Sequence, residues 1–458
     1  LFMNANIFHY RQFRVGDDRK TVYFDYALRH KGQEYEFTER IEFPVELPDV
    51  PELKRALRAL HLALGISYYK IFAPPVIKHS YAMDEAEADF WNEVWLNGLG
   101  EFLYVNKLPA EKLARFVAQD GETFEGESEL NTKGALLGIG GGKDSIVAGE
   151  LLKAINVPVT GFVMATGEHL GQTQEVAKTM GVELHAVKRT IDPKLLEVQA
   201  QPGSHKGHVP ISLAFALVGT TLAIATKTAY VVVANEAGTS LPRGIRWEGR
   251  EVNHQWSKSF EAEQLIQNFI KTNVSASVTY FSAIRQLTSV GVAKIFAKFP
   301  QYFEVFTSDN FVFRIDPSKR PSGRWSLESP KSLSSYLLLA PWLSDEDMRR
   351  TFAIDFLNEH SLKHLFLALT GQEGEPPLDC VGTTEELELS INLLDEQGRY
   401  QDTYLMQLAK ERGIVRADEL DWQAELADFL RLQSQEALPP ELKGQIQAWL
   451  EKELGPTT

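Results

Sequence analysis

Cysteine is almost absent from this chain: Cys380 is the single one among 458 residues. One thiol closes no internal disulfide and builds no cysteine cage for a metal, so folding must rest on burial. Long apolar runs are missing as well. No stretch approaches the roughly 20 apolar residues that span a bilayer. The first residues also lack a basic region followed by an apolar core and a small-residue cleavage site. A cytoplasmic location, away from any membrane, is the expectation. Basic excess is the third absence: 62 acidic residues against 47 basic ones leave a formal net charge of -15. That balance argues against nucleic acid as a partner, since its binders present a basic face. There is neither an internal repeat nor a low-complexity tract. A small-molecule enzyme is the class left standing.

What is present suffices for sizeable cores, because 44% of the residues are hydrophobic and the length is about three times that of a typical domain. Three regions are expected. Residues 1–125 read as α+β: Thr21 to Leu28 and Glu34 to Phe43 flank a Gly-containing turn, and the second run alternates polar and apolar side chains as a hairpin strand does. Helical spacing follows over Pro51 to Gly65 and Met83 to Leu99, with Asp84 as a cap. An acidic, Gly-rich stretch from Asp120 to Glu129 marks a boundary.

Residues 133–344 then alternate strand and helix: Ala135 to Ile139, helix Ser145 to Ile155, Val157 to Ala165, helix Gly171 to Met180, and Glu183 to Val187. The long apolar helix Ile211 to Lys227 leads into Tyr230-Val-Val-Val-Ala234. Such alternation implies an open parallel sheet with right-handed crossovers, so the fold class is α/β. Residues 345–458 read as mostly helical, closing on a helix from Pro440 to Leu454.

The strongest local signal is Gly138-Ile-Gly-Gly-Gly-Lys-Asp-Ser145, between a buried strand and a helix. Glycines let backbone amides approach an anion, and the helix N-terminus adds positive potential, which together make a phosphate site. Lys143 adds a mobile charge. A Walker A loop is excluded by Leu137, where its first Gly belongs, and by Asp144, where Ser or Thr must follow the Lys. A dinucleotide fingerprint starting at Gly138 needs Gly at position 143, where Lys143 stands.

The loop resembles the S-G-G-x-D-S signature of the PP-loop ATP pyrophosphatases, which cleave ATP between the α and β phosphates to adenylate a substrate. Gly141, Gly142, Lys143, Asp144 and Ser145 match residue by residue, and Gly140 replaces the leading Ser. Further segments are similar to the MurL-type epimerases. They are Gly207-His-Val-Pro-Ile211, Ala234-Asn-Glu-Ala-Gly238, Glu251 to Ser259, His61 to Lys70, Asn97 to Phe102 and Asp379-Cys-Val-Gly-Thr383. Two departures stand out. Trp325-Ser-Leu-Glu-Ser-Pro-Lys-Ser332 places Ser326, Ser329 and Ser332 where relatives carry thiols, which removes a metal site there. Ala237 follows Glu236 where a basic residue is expected, and Arg243, Arg246 or Arg250 could supply the missing anion contact.

The resemblance implies a PP-loop central domain and a nucleotide-sugar peptide substrate, UDP-N-acetylmuramoyl-L-alanyl-L-glutamate, whose L-glutamate is inverted through an acyl-adenylate with release of AMP and diphosphate. The implied cofactors are ATP and Mg²⁺. Carboxylate activation answers a physical problem: the α-proton is hard to remove beside a negative charge, and adenylation removes that charge and makes the carbonyl an electron sink. Gly140, Gly141, Gly142, Lys143, Asp144 and Ser145 would hold ATP, and Asp144 would contact Mg²⁺. Lys143, Asp144, Glu236 and His254 are the catalytic candidates; His208, Asn235 and Lys258 are the substrate-binding ones. Cys380, and likewise Tyr68 and Tyr69, read as core residues. Two alternatives remain open: a PP-loop amidotransferase, thiouridylase or amide synthetase acting on another substrate, and a nucleotide-binding protein without turnover.

Overall fold

The computed structural model describes residues 6–128, 130, 132–167, 170–242, 244–314, 317–375, 377–416 and 422–455. Its strands are β1 (Ile7–Val15), β2 (Thr21–His30), β3 (Gln33–Glu42), β4 (Val76–Lys78), β5 (Ala135–Gly138), β6 (Val159–Ala165), β7 (Leu184–Thr190), β8 (Tyr230–Val233), β9 (Arg246–Trp247), β10 (Arg250–Glu251) and β11 (Thr279–Ser282). Among the described residues nine of them form one sheet in the order β11-β8-β5-β6-β7-β3-β2-β1-β4, while β9 and β10 pair as a separate ribbon.

From β11 to β7 every pairing is parallel. The chain lays down β5, steps to β6 and β7 on one side, then returns to place β8 and β11 on the other. The crossover direction therefore reverses between β5 and β8, and the crevice beyond the carboxyl ends of those two strands is where an open α/β sheet binds ligands.

Both faces of this sheet are covered, which is why β8 reads as an unbroken apolar run. Leu136 and Val231 belong to the core on one face, Leu137 and Val232 to the core on the other. On the first face the helix Ile211–Thr226 packs on β5, β6 and β8, and the helix Pro51–Tyr69 packs against it in turn. The approach is close at Gly219, where a Cβ would sit 2.7 Å from Val231 Cγ1 and 2.9 Å from Phe162 Cζ. The second face carries the helices Lys143–Ala154 and Ser289–Phe296. Outside these lie the helices Pro330–Leu339, Thr384–Glu396 and Pro440–Leu454, the last two from the helical C-terminal region.

The N-terminal strands extend the central sheet instead of forming one of their own. β3 joins β7 antiparallel over Arg40 to Glu42, and a buried ion pair ties the junction, with Arg189 Nε 2.6 Å from Glu39 Oε1. Tyr68 and Tyr69 are fully buried. His61 is buried too, its Nδ1 2.7 Å from the Tyr81 hydroxyl, and burial lowers its pKa to about 3. These three serve the core, as expected for aromatic residues on an apolar helix. Asp84 caps its helix by accepting from Glu87 N at 2.7 Å.

Candidate functional site

A cavity of about 610 Å³ opens at the carboxyl ends of β5 and β8. Gly138, Gly140, Gly142, Asp144 and Ser145 line it from the loop after β5, and Ala234 and Asn235 from the end of β8. His208, His254, Gln255, Ser257 and Lys258 add a polar wall, while Ile139, Phe162, Val163, Ile211 and Phe215 form an apolar one. A smaller polar recess of about 80 Å³ shares Asp144, Asn235, Lys258 and Cys380 with it and adds Lys143 and Glu236. Gly141 lines neither space, but its φ of +84° makes the turn possible. The residues singled out in the sequence thus converge from five separate segments.

The glycine loop has free donors. Among the described residues no acceptor takes the backbone N–H of Gly140, Gly141, Gly142, Lys143 or Asp144. Five donors without a protein acceptor at a helix N-terminus suit a polyphosphate, whose oxygens can take several of them at once. The Gly140 position has open space where a Cβ would be. Ser145 turns its hydroxyl back onto Gly142 O at 3.0 Å, bracing the loop.

Charge is held tightly beside the loop. Lys143 is 7% exposed and its Nζ lies 2.7 Å from Asp144 Oδ1. Burial works against its charge, yet Asp144, and after it Glu236 and Glu386, outweigh that and raise its pKa. Glu236 is 9% exposed and accepts from Gly238 N at 2.5 Å. Burial first, and then the Glu386 carboxylate, push it up to about 7. Glu386 is raised too, by burial. Its Oε1 accepts from Ser289 N at 2.6 Å and its Oε2 from Thr383 N at 2.8 Å, so one carboxylate serves two helix starts.

A buried hub sets the backbone of two candidates. Arg285 is fully buried and donates to Glu263 Oε2 at 2.8 Å, to Glu236 O at 2.9 Å, to Thr239 Oγ1 at 2.8 Å and to Lys258 O at 2.6 Å. Ser282 of β11 donates to Asn235 O at 2.7 Å and accepts from Asn235 N at 3.0 Å. Asn235, Glu236 and Lys258 are therefore held by main-chain bonds, which leaves their side chains to the cavity walls.

The N-terminal region reaches the same space. His208 Nδ1 stands 3.8 Å from Glu101 Oε2, and the neighbouring Lys70 donates its ammonium to Gly207 O. Burial, then Lys70 and Lys258, lower His208 to about 4, so it is neutral at pH 7. Burial lowers Lys70 to about 8.

Segments after the last strand supply what the sequence reading missed. Lys331 lines both spaces and donates to Asn310 Oδ1 at 3.2 Å; Asn310 in turn donates to Asp379 Oδ1 at 3.3 Å. Cys380, read as a core residue, is only half-buried and lies 3.0 Å from Lys258 Nζ. Its position in a loop rather than on an apolar helical stripe was the available signal. Arg246 and Arg250 lie on the exposed β9–β10 ribbon, with Arg250 at a separate cavity of about 400 Å³, and Arg243 lies outside the described residues. At the serine cluster, Ser326 and Ser332 donate to Asp309 Oδ2 at 2.7 and 3.1 Å, and the buried Ser329 hydroxyl has no partner.

No group of three or more His, Cys, Asp or Glu side chains arranged to hold a metal occurs among the described residues. Asp144, beside the loop, is a single hard oxygen ligand, the kind a Mg²⁺ ion accepts.

Comparison with known proteins places these features in a family. Residues 2–283 match the MurL N-terminal domain and residues 305–429 the MurL C-terminal domain. The chain is 32% identical over 385 residues to the UDP-N-acetyl-alpha-D-muramoyl-L-alanyl-L-glutamate epimerase of Micromonospora sp., covering 83% of this chain and 84% of that one. The proteins of that name from Salinispora tropica (32% over 385 residues, 83% and 82% covered) and Xanthomonas oryzae pv. oryzae (30% over 401 residues, 86% of each) are similar throughout.

Proposed function

Because this chain belongs to the MurL family of epimerases, which act on the glutamate of a UDP-muramoyl dipeptide, we propose that it inverts the terminal L-glutamate of UDP-N-acetylmuramoyl-L-alanyl-L-glutamate through an ATP-derived acyl-adenylate, for peptidoglycan synthesis. The observation that carries the ATP-dependent step is the glycine loop. Its five open N–H donors stand at a strand-to-helix turn beside Lys143, at the point where the crossover direction of the sheet reverses. An anion with several oxygens satisfies those donors, and the charge that develops on departing diphosphate is stabilised by donors already in place.

The remaining roles follow from position. The apolar wall of Ile139, Phe162, Ile211 and Phe215 suits a planar base. Asp144 would hold Mg²⁺, which would supply positive charge beside the phosphates. Glu236, with its pKa near neutrality, is suited to give or take a proton. His254 lines the wall through which the dipeptide end would enter, and neutral His208 and Asn235 offer uncharged hydrogen bonds to it. Activation makes the α-proton removable, inversion follows when a proton returns on the opposite face, and hydrolysis then frees AMP.

The test is incubation of purified protein with Mg-ATP and UDP-N-acetylmuramoyl-L-alanyl-L-glutamate, measuring AMP, diphosphate and the chirality of glutamate after acid hydrolysis. D-glutamate formed together with AMP supports the reading. AMP without inversion would leave an adenylating enzyme of another kind, and no AMP would remove the ATP-dependent step.

A further inference from the structure

The single thiol of the chain sits at the junction of the two spaces that make the site. Cys380 lines the main cavity and the polar recess, and so do Lys258, Lys331 and Asp144. The sulfur lies 3.0 Å from Lys258 Nζ, and the Lys258 backbone is clamped by Arg285 Nη2 at 2.6 Å and Thr239 Oγ1 at 2.9 Å. The segment bearing the sulfur is fixed as well, since Cys380 N donates to Asp379 Oδ1 at 2.8 Å. The ammonium thus stands beside the sulfur on the wall of both spaces, where it can receive the thiol's charge when the sulfur acts on a substrate. Lys258 is correspondingly raised, by the Cys380 sulfur first, against burial, with Asp144 and Asp379 adding to it.

A second, independent feature marks this wall as a place for a ligand. Gln255, three residues from Lys258, is 5% exposed and lines the cavity, and its Oε1 has no hydrogen-bond partner among the described residues. A buried acceptor left without a donor is unfavourable until something supplies one. The peptide N–H of the substrate's glutamate is such a donor, and it is bonded to the α-carbon whose proton must move.

We propose that Cys380, paired with Lys258, is the base that removes the α-proton of the substrate glutamate, with Gln255 accepting the adjoining amide N–H. This rests on the acyl-adenylate reading above. The Cα–H bond breaks, an S–H bond forms, and the electron pair moves into the activated carbonyl, leaving an enolate oxygen. A proton from the Glu236 carboxylic acid, delivered to the opposite face, completes the D centre, and solvent exchange resets both groups. No oxidation state changes. One thiol suffices because a carboxylic acid serves the second face.

The experiment uses the full chain in deuterated water with Mg-ATP and the dipeptide substrate, following AMP release and deuterium entry at the glutamate α-carbon. Cys380→Ala is expected to lower deuterium entry and D-glutamate formation by ~10³-fold while AMP is still released. If the variant exchanges the α-proton within about tenfold of wild type, or loses AMP release in step with exchange, the assignment of the base is overturned. A wild-type chain that forms D-glutamate without AMP would instead remove the acyl-adenylate, a distinguishable result. A second readout needs no cysteine variant. Iodoacetamide should alkylate Cys380 in the wild type, and Mg-ATP with the dipeptide substrate should protect it. Alkylation unslowed by substrate would overturn the placement of the sulfur against the reacting carbon.

Discussion

Replacing Glu236 with glutamine separates the energetic consequence of its burial from its chemistry. Its pKa moves from 4.5 to about 7 on folding, driven by burial and then by Glu386. The folded chain thus binds this proton more tightly than the unfolded one. Below pH 4.5 the group is neutral in both states and its titration takes nothing from stability. As the pH rises toward 7 the unfolded state ionises first, and the native state loses up to about 3 kcal/mol relative to a neutral side chain. Glu236→Gln keeps an oxygen to accept from Gly238 N and lacks the titration. Its advantage over wild type should be about 1 kcal/mol at pH 5 and about 3 kcal/mol at pH 8. Urea unfolding of both proteins at the two pH values, followed by tryptophan fluorescence, measures that widening. A gap that stays flat within about 0.5 kcal/mol would refute the raised carboxyl, whatever the variant does to turnover.

Three other expectations follow from the same geometry. Arg285→Met strands the buried Glu263 carboxylate and should lower stability by about 3–5 kcal/mol; Glu263→Gln added to it should restore part of that, and thermal unfolding of the pair of variants checks the claim. Gly141→Ala forces a side chain into a φ of +84° and should destabilise by about 1–2 kcal/mol and weaken ATP binding, whereas Gly140→Ala enters open space and should leave the fold intact; calorimetric ATP titration distinguishes them. His208, lowered to about 4, should show no proton uptake between about pH 6 and 8 in an imidazole NMR titration, and a midpoint near 6.5 would contradict its burial beside Lys70 and Lys258.

The parts of this fold written in local pattern were legible. The apolar run of β8, the strand-loop-helix around Gly140 and the long helix after Pro210 each declare themselves within a dozen residues. The hairpin of β2 and β3 was legible too, through its period of two. Its attachment was not, because the Glu39–Arg189 pair joins residues far apart in the chain and only three residues of β3 pair with β7. β4 has only three residues, β11 offers only Tyr280 and Phe281 between Thr279 and Ser282, and β1 was passed over at the start of the chain. The same distinction holds at the site. Loop residues Gly140 to Ser145 and the strand-end pair Asn235 and Glu236 announced themselves by position. Lys331, Asp379 and Cys380 arrive from segments after the last strand, and nothing local ties Cys380 to Lys258. Glu386 shows the boundary clearly. Its capping role could be read from Thr383 three residues earlier, but its second bond, to the start of the helix at Ser289, exists only in three dimensions.

The segments after the last strand therefore supply part of the site as well as covering the sheet, since Lys331 and Cys380 line the recess beside Lys143 and Lys258, and Glu386 raises the Glu236 carboxyl there.

The central claim is that the glutamate carboxylate is joined to AMP before its α-carbon inverts. The direct measurement supplies UDP-N-acetylmuramoyl-L-alanyl-L-glutamate carrying heavy oxygen in the α-carboxylate of its glutamate, lets the protein turn over with Mg-ATP, and weighs the AMP by mass spectrometry. Attack of that carboxylate on the α-phosphate, followed by hydrolysis at the carbonyl carbon, must leave a heavy oxygen in AMP for each D-glutamate made. D-glutamate accumulating beside unlabelled AMP, or with ATP omitted, would contradict the account.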